Sequence, residues 1–306
     1  MTRTRTMTAT ALLALLALAP VSSAQALESP HMAPDNAESA TVVSEKITDK
    51  GQFGDCTGTA IAPQWVLTAR HCVEAAEGAK ASGAVRVGNG DNTREIPIDR
   101  WEVAPGGDVA LMHTTEDMGL SHYAEIDDQA RYSGQATAYG WSPSGSGKGK
   151  QLPVANATIT GKSQYNLYEG APGIKAQMEE GAAIQGGDSG GPLFYEGKVT
   201  GVVTASINPV ADAAAGEGGD GALPDSDVDV KQTRDAVYSP VADQKEWITK
   251  TISGQESAST AQGSSSETSS CTSISPAVLI GGAVVASLGG AAVTGLFLRR
   301  GQRAAQ

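Results

Sequence analysis

The residues Gln185-Gly186-Gly187-Asp188-Ser189-Gly190-Gly191-Pro192 place one serine inside a run of glycines, with an acid directly before it and a proline closing the run. Glycine permits φ > 0 and puts no Cβ in the way of an incoming ligand. Such a stretch suits a tight turn whose backbone N–H groups converge on one point. Ser189 is then a candidate nucleophile for a carbonyl carbon, and the amides of Gly187 and Ser189 are candidates to hold the oxyanion that forms. A serine hydroxyl is a weak nucleophile unaided, so this reading requires an imidazole and a carboxylate elsewhere. Both lie upstream. Leu67-Thr68-Ala69-Arg70-His71-Cys72 supplies the histidine, and Gly107-Asp108-Val109-Ala110-Leu111-Met112 supplies the acid at the head of an apolar run.

Together the three motifs, T-A-x-H-C, D-V-A-L and G-D-S-G-G-P in that order, resemble those of the chymotrypsin/trypsin-like serine proteases over roughly residues 41 to 253. The resemblance implies an all-β fold of two six-stranded antiparallel Greek-key barrels with a short C-terminal helix. It implies that His71 takes the proton from Ser189 and returns it to the leaving amine, while Asp108 holds the imidazole. It also implies a Cys56–Cys72 disulfide, which closes a loop of about 15 residues and contributes roughly 3 kcal/mol in the chain-entropy model. Thr204 matches a family serine whose hydroxyl bonds the catalytic aspartate. Ala183 falls at the expected base of the substrate pocket, with Thr204, Ser206 and Ala236 around it and Gln185 where a bracing cysteine usually stands. An uncharged base favours a small or medium apolar residue before the cleaved bond. No metal or cofactor is implied. In relatives the carboxylate at Asp188 pairs with a new N-terminus or with an internal basic residue. No R-I-V-G-G-like junction precedes Cys56 here, so an internal basic partner is expected.

The rest of the 306 residues agrees with a β-rich exported protein. Thirty-seven glycines and 14 prolines indicate many turns, and the short runs Thr41-Val42-Val43, Thr57–Ala62, Gln64–Thr68, Val85–Gly88, Ile96–Ile98, Ala136–Trp141, Lys198–Ser206 and Ala236–Tyr238 read as strands. No helical period appears before residue 240. Val241 to Ile252 reads as a closing helix with Trp247 and Ile248 inward and Gly254 as its stop. The net charge is −12, and all 34 acidic residues fall between Leu27 and Leu298, which argues against nucleic acid as a partner. His31, His113 and His122 lack a motif and read as surface residues.

Residues 1–26 read as a secretory signal peptide: Arg3 and Arg5, the apolar run Ala9–Ala19, then Ala24-Gln25-Ala26 as the cleavage site, so that the mature chain begins at Leu27. Residues 27–40 read as a poorly ordered lead or propeptide remnant, 41–253 as the protease domain, and 254–275 as a Ser/Thr-rich linker. Pro276–Leu298 carries no charge and is about 34 Å long as a helix, enough to cross a hydrocarbon core of about 30 Å, with residues 299–306 as a cytoplasmic tail. The acidic loop between Ser206 and Arg234 reads as solvated, with Asp225, Asp227 and Asp229 only weakly suggestive of calcium. Cys271 is left without a partner. The expectation is a membrane-anchored extracellular serine endopeptidase acting on proteins or peptides. The alternatives are a surface-displayed, non-catalytic binding module of the same fold, and an esterase.

Overall fold

The computed structural model describes residues 27–74, 76, 81–166, 168, 172–206 and 234–263, without side chains at 164–166 and 255–263. The expected signal peptide, the 207–233 acidic loop, Cys271 and the 276–298 span lie outside the described residues. Among those that are described, no helix is long and apolar enough to cross a membrane.

Fourteen strands are described, β1 (His31–Met32), β2 (Val42–Lys46), β3 (Cys56–Ala62), β4 (Trp65–Thr68), β5 (Ala84–Asn89), β6 (Asn92–Val103), β7 (Ala110–Thr114), β8 (Glu125–Ile126), β9 (Gly134–Tyr139), β10 (Pro153–Asn166), β11 (Pro172–Met178), β12 (Pro192–Tyr195), β13 (Lys198–Ser206) and β14 (Asp235–Pro240). The first barrel closes in the order β2-β3-β4-β7-β6-β5. The second closes in the order β9-β10-β11-β14-β13-β12, with β1 added to β10 and β8 running parallel to β13. All pairings within the two barrels are antiparallel.

Side chains alternate between faces along a strand, and here both faces of the central strands are covered. In β4, Val66 points into the core of the first barrel with Val43, Val85, Ile96 and Met112. Its neighbours Trp65 and Leu67 join a separate cluster with Leu111, Trp141, Phe194 and Val199, which packs the two barrels together. This double burial is why the T-A-x-H-C motif ends an apolar run and the D-V-A-L motif opens one. The second barrel has its own core, including Leu27, Ala138, Ile174, Leu193 and Tyr238.

Two expectations need correction at the ends of the domain. Residues 27–40 are not a loose lead. Leu27 is fully buried, Glu28 forms a β-bridge with Ala183, β1 pairs with the start of β10, and the Ala33 amide donates to Leu152 O at 2.7 Å. Tyr139 donates its hydroxyl to Glu38. The stretch lacks periodicity because it is held by another element's edge rather than by its own pattern. At the other end, Ala242–Gln244 forms a 3₁₀ turn and the helix runs from Lys245 to Gly263, through Gly254. A single glycine costs about 1 kcal/mol in a helix and does not by itself end one. Ile248 is buried and Trp247 packs on the inter-barrel cluster, as expected.

Candidate active site

The first barrel contributes His71 and Asp108. A short helix, α1 (Arg70–Glu74), follows β4 and carries His71, with the Cys56–Cys72 disulfide tying it back to β3 across a Cα separation of 6.4 Å. Asp108 begins the return from β6 to β7 and is fully buried. Its carboxylate clasps the histidine twice: Oδ1 accepts from the His71 backbone amide at 2.9 Å, and Oδ2 lies 2.7 Å from Nδ1. A carboxylate can only accept, so Nδ1 carries the proton and the Nε2 lone pair is left free. Asp108's own amide donates to Ser239 Oγ at 2.9 Å. Thr204, expected to make the bond to this aspartate, does not. Its hydroxyl is buried without a hydrogen-bond partner, and the hydroxyl of Ser239 on β14 meets the backbone amide of Asp108 rather than its carboxylate. Tyr168 stands on the same side: its carbonyl accepts from Gly107, and its ring lies under the Arg70 guanidinium at 4.5 Å. Burial and the nearby charges of Asp108 and Glu74 push its phenol up to about 12.

The second barrel contributes the serine turn between β11 and β12. Gly187 has φ +97° and Gly190 has φ +79°, a region glycine enters without strain. Close approach matters as much: a Cβ at Gly187 would come within 2.5 Å of Gly54 O, and one at Gly190 within 2.4 Å of Thr57 O. The turn is pegged to the first barrel through Thr57, whose amide donates to Ser189 O and whose hydroxyl donates to Gly187 O, both at 2.8 Å. The same hydroxyl accepts from the Trp141 amide. Around the turn, the Asp188 amide donates to Gln185 O, that of Gly190 to Val203 O, and that of Gly191 to Asp188 O. Among the described residues, the amides of Gly187 and Ser189 donate to no protein group.

Ser189 and His71 line one cavity of about 360 Å³ with Ile47, Thr48, Asp55, Cys56, Cys72 and Ala76. Among the described residues no hydrogen bond joins the serine hydroxyl to the imidazole, and His71 Nε2 lies 4.0 Å from Cys72 Sγ. Catalytic contacts are often long in a structure without substrate. The residues expected around a substrate pocket do not line this cavity. Ala183 is buried on its bridge to Glu28, Ala236 is fully buried opposite Ser206 and Ala176, and none of Ala183, Thr204, Ser206 and Ala236 lines this cavity.

Asp188 differs from the expectation of a basic partner. Among the described residues no cation pairs with it. Oδ2 accepts from the Gln185 amide at 2.8 Å, the amides of Leu27 and Ser142 lower its pKa as further donors, and Oδ1 has no partner. Desolvation dominates and pushes the carboxyl up to about 7. A second buried acid, Glu45, accepts from Thr68 Oγ1 at 2.8 Å, and burial raises it well above the usual carboxylate range. It groups with Cys56 and Cys72, but sulfurs joined in a disulfide offer no thiolate to an ion. His113 is buried, not at the surface: Nδ1 lies 2.8 Å from Asp99 and the ring meets Trp65 edge-on.

Chemistry of this sort on two antiparallel barrels is that of a serine-type peptidase. The trypsin family model matches residues 24–216, and the chain belongs to that family. A peptidase of Corynebacterium glutamicum is 30% identical over 258 residues, covering 79% of this chain and 81% of its own length. Snake venom serine protease KN3 of Trimeresurus stejnegeri is 26% identical over 230 residues, covering 66% of this chain and 80% of its own. Among solved structures, mouse neuropsin shares the fold at a TM-score of 0.53 and 19% identity, covering 74% of this chain and 99% of its own. Human heparin binding protein does so at 0.51 and 17%, covering 72% and 93%.

Proposed function

We propose that this serine-type peptidase is an exported, membrane-anchored endopeptidase that cleaves peptide bonds through His71, Asp108 and Ser189. The observation that carries the reading is the double clasp of Asp108 on His71, with Nε2 left as a free base beside the cavity that Ser189 lines. In the reaction, Ser189 Oγ attacks the scissile carbonyl as its proton passes to Nε2. The two unspent amides of Gly187 and Ser189 receive the oxyanion, and Asp108 stabilises the imidazolium. His71 then protonates the leaving amine, and water releases the acyl group from Ser189 by the same steps in reverse order. Ala183, Ser206 and Ala236 bring no charge to the pocket expected there, so small apolar residues before the cleaved bond are favoured. The charge-free stretch 276–298 followed by Arg299, Arg300 and Arg303 supports anchoring, with the protease outside.

The second reading, a binding module without turnover, is favoured by the missing hydrogen bond between Ser189 and His71. An organophosphonate serine probe separates the two. Labelling at Ser189, and loss on the order of 10⁶-fold in kcat in Ser189→Ala, is expected of the enzyme. An unlabelled wild type, or a variant keeping more than about a hundredth of its rate, refutes it.

A further inference from the structure

Glu45 is fully buried on β2, directly opposite Cys56 of β3. It does not line the cavity that Ser189 and His71 share. Its carboxyl lies beneath the serine turn instead. Oε1 has no hydrogen-bond partner and abuts Gly58, where a Cβ would fall 2.1 Å from it. Oε2 meets Thr68 Oγ1 of β4 at 2.8 Å, and the same hydroxyl lies 3.3 Å from Thr57 O. Thr68 Oγ1 and Thr57 O together form the seat of the serine turn: a Cβ on Gly190 would come within 2.4 Å of each. Thr57 also grips the turn from its other side, through Ser189 O and Gly187 O. Two titratable neighbours bear on Glu45. Asp55, just before β3, adds a negative charge, and Cys56 and Cys72 are joined and do not titrate.

A threonine hydroxyl has one hydrogen to give, and Thr68 has two acceptors in reach. When Glu45 is ionised, the carboxylate draws that hydrogen. Thr68 Oγ1 and Thr57 O then face each other under Gly190 with no hydrogen between them, and the charge on Oε1 is left without a donor. When Glu45 holds a proton on Oε2, the first bond reverses. Oε2–H donates to Thr68 Oγ1, and Thr68 donates to Thr57 O, so that each hydrogen has an acceptor. A proton on Oε1 would find none. We infer that Glu45 is a positioning residue for the nucleophile: as a neutral acid it turns the Thr68 hydroxyl onto Thr57 O, and the bonded pair of oxygens seats Gly190 and, beside it, Ser189. Burial and the charge of Asp55 both favour the neutral form. Release of the proton to solvent breaks no covalent bond. It turns the hydroxyl back toward Glu45 and loosens the seat. A carboxyl raised in the folded state is protonated at low pH, so the seat is intact there and is lost as pH rises through the folded pKa.

This inference rests on Ser189 being the nucleophile, so its test carries readouts that do not. The full-length chain is made as wild type, Glu45→Gln and Thr68→Val. The glutamine amide donates to Thr68 Oγ1 at every pH and so fixes the neutral arrangement, while valine keeps the shape of threonine and has no hydroxyl to turn. The rate of phosphonate labelling at Ser189 is followed upward from about pH 7, where an unperturbed imidazole is already mostly neutral. Over the same range, infrared difference spectra between wild type and Glu45→Gln follow the neutral carboxyl, and hydrogen exchange follows the Thr57 amide that holds Ser189 O. As the carboxyl band disappears, wild-type labelling is expected to fall about tenfold, in keeping with a small displacement of a reacting group, and the Thr57 amide to lose protection. Glu45→Gln is expected to show neither change. The same alkaline fall in Glu45→Gln as in wild type, or a carboxyl band absent at every pH, overturns the inference. Should Glu45→Gln fail to fold, Thr68→Val decides: it is expected to lack the alkaline fall, and a fall kept there overturns the inference. If the band and the Thr57 protection are lost together but wild type never labels, Glu45 keeps its role in seating the turn and the proposed nucleophile falls. If wild type labels and neither its rate nor the protection follows the band, the inference falls and the nucleophile stands.

Discussion

Asp108 and Asp188 are both fully buried, one given to the cleft by each barrel, yet they are satisfied very differently. Asp108 has a charged-capable partner that clasps it with two hydrogen bonds of 2.7 and 2.9 Å, and its own amide is taken up by Ser239. Asp188 has amide donors only, an orphaned oxygen, and a carboxyl pushed up to about 7. Burial alone is the same for both; what separates them is whether an ionic partner is built into the fold. The first barrel's half of the site is complete in the chain as it folds. In the second barrel's half, the acid next to Ser189 is held by backbone amides alone.

The comparison is broken most forcefully from the Asp108 side. Asp108→Asn keeps the shape but can donate to Nδ1, which imposes the wrong tautomer. The expected loss in kcat is on the order of 10⁴ with little change in Tm. Steady-state kinetics checks it, and a loss under tenfold would mean the clasp is structural only.

On the Asp188 side the prediction concerns pH. With amide donors alone around it, burial pushes the folded carboxyl up to about 7, against 3.8 when unfolded. The folded state then binds more protons between those values. Stability is fully present below about pH 4 and is lost as pH rises through 7, by on the order of 4 kcal/mol. Asp188→Asn should flatten that slope in denaturant titrations across pH. An unchanged slope would assign it to Glu45, the other buried acid with a raised pKa.

Cys56→Ser tests the covalent brace beside His71. Its loss should lower stability by roughly 2–5 kcal/mol at equilibrium unfolding. A cost below about 1 kcal/mol would show that α1 is held by packing of Cys72 and Val73 alone. The smallest effect sharpens the assignment of Asp108's partner. Ser239→Ala strands the Asp108 amide and should cost about 1–3 kcal/mol. Thr204→Val removes a hydroxyl that bonds nothing and should cost less than about 0.5 kcal/mol. The reverse ranking would return Thr204 to the role its position in the sequence suggested.

The sequence by itself determined the class of fold and the chemistry. Strand runs such as Thr57–Ala62 and Gln64–Thr68 fall on β3 and β4 within a residue or two, because strands buried on both faces leave a short, nearly charge-free run between turns. The disulfide and the three motifs were equally legible, since nucleophile turns demand glycine at Gly187 and Gly190 for reasons of backbone geometry that a single stretch displays. What the tertiary structure alone decided were contacts between segments far apart in the chain. Thr57 pegging the serine turn, Ser239 taking the Asp108 amide, His113 buried against Trp65, and Leu27 buried in the second barrel are each set by which strand edge lies opposite which. Such partners carry no local periodicity or motif. A hydroxyl or an amide becomes a partner only when two barrels close around it and remove water, and that burial is a property of the packed whole.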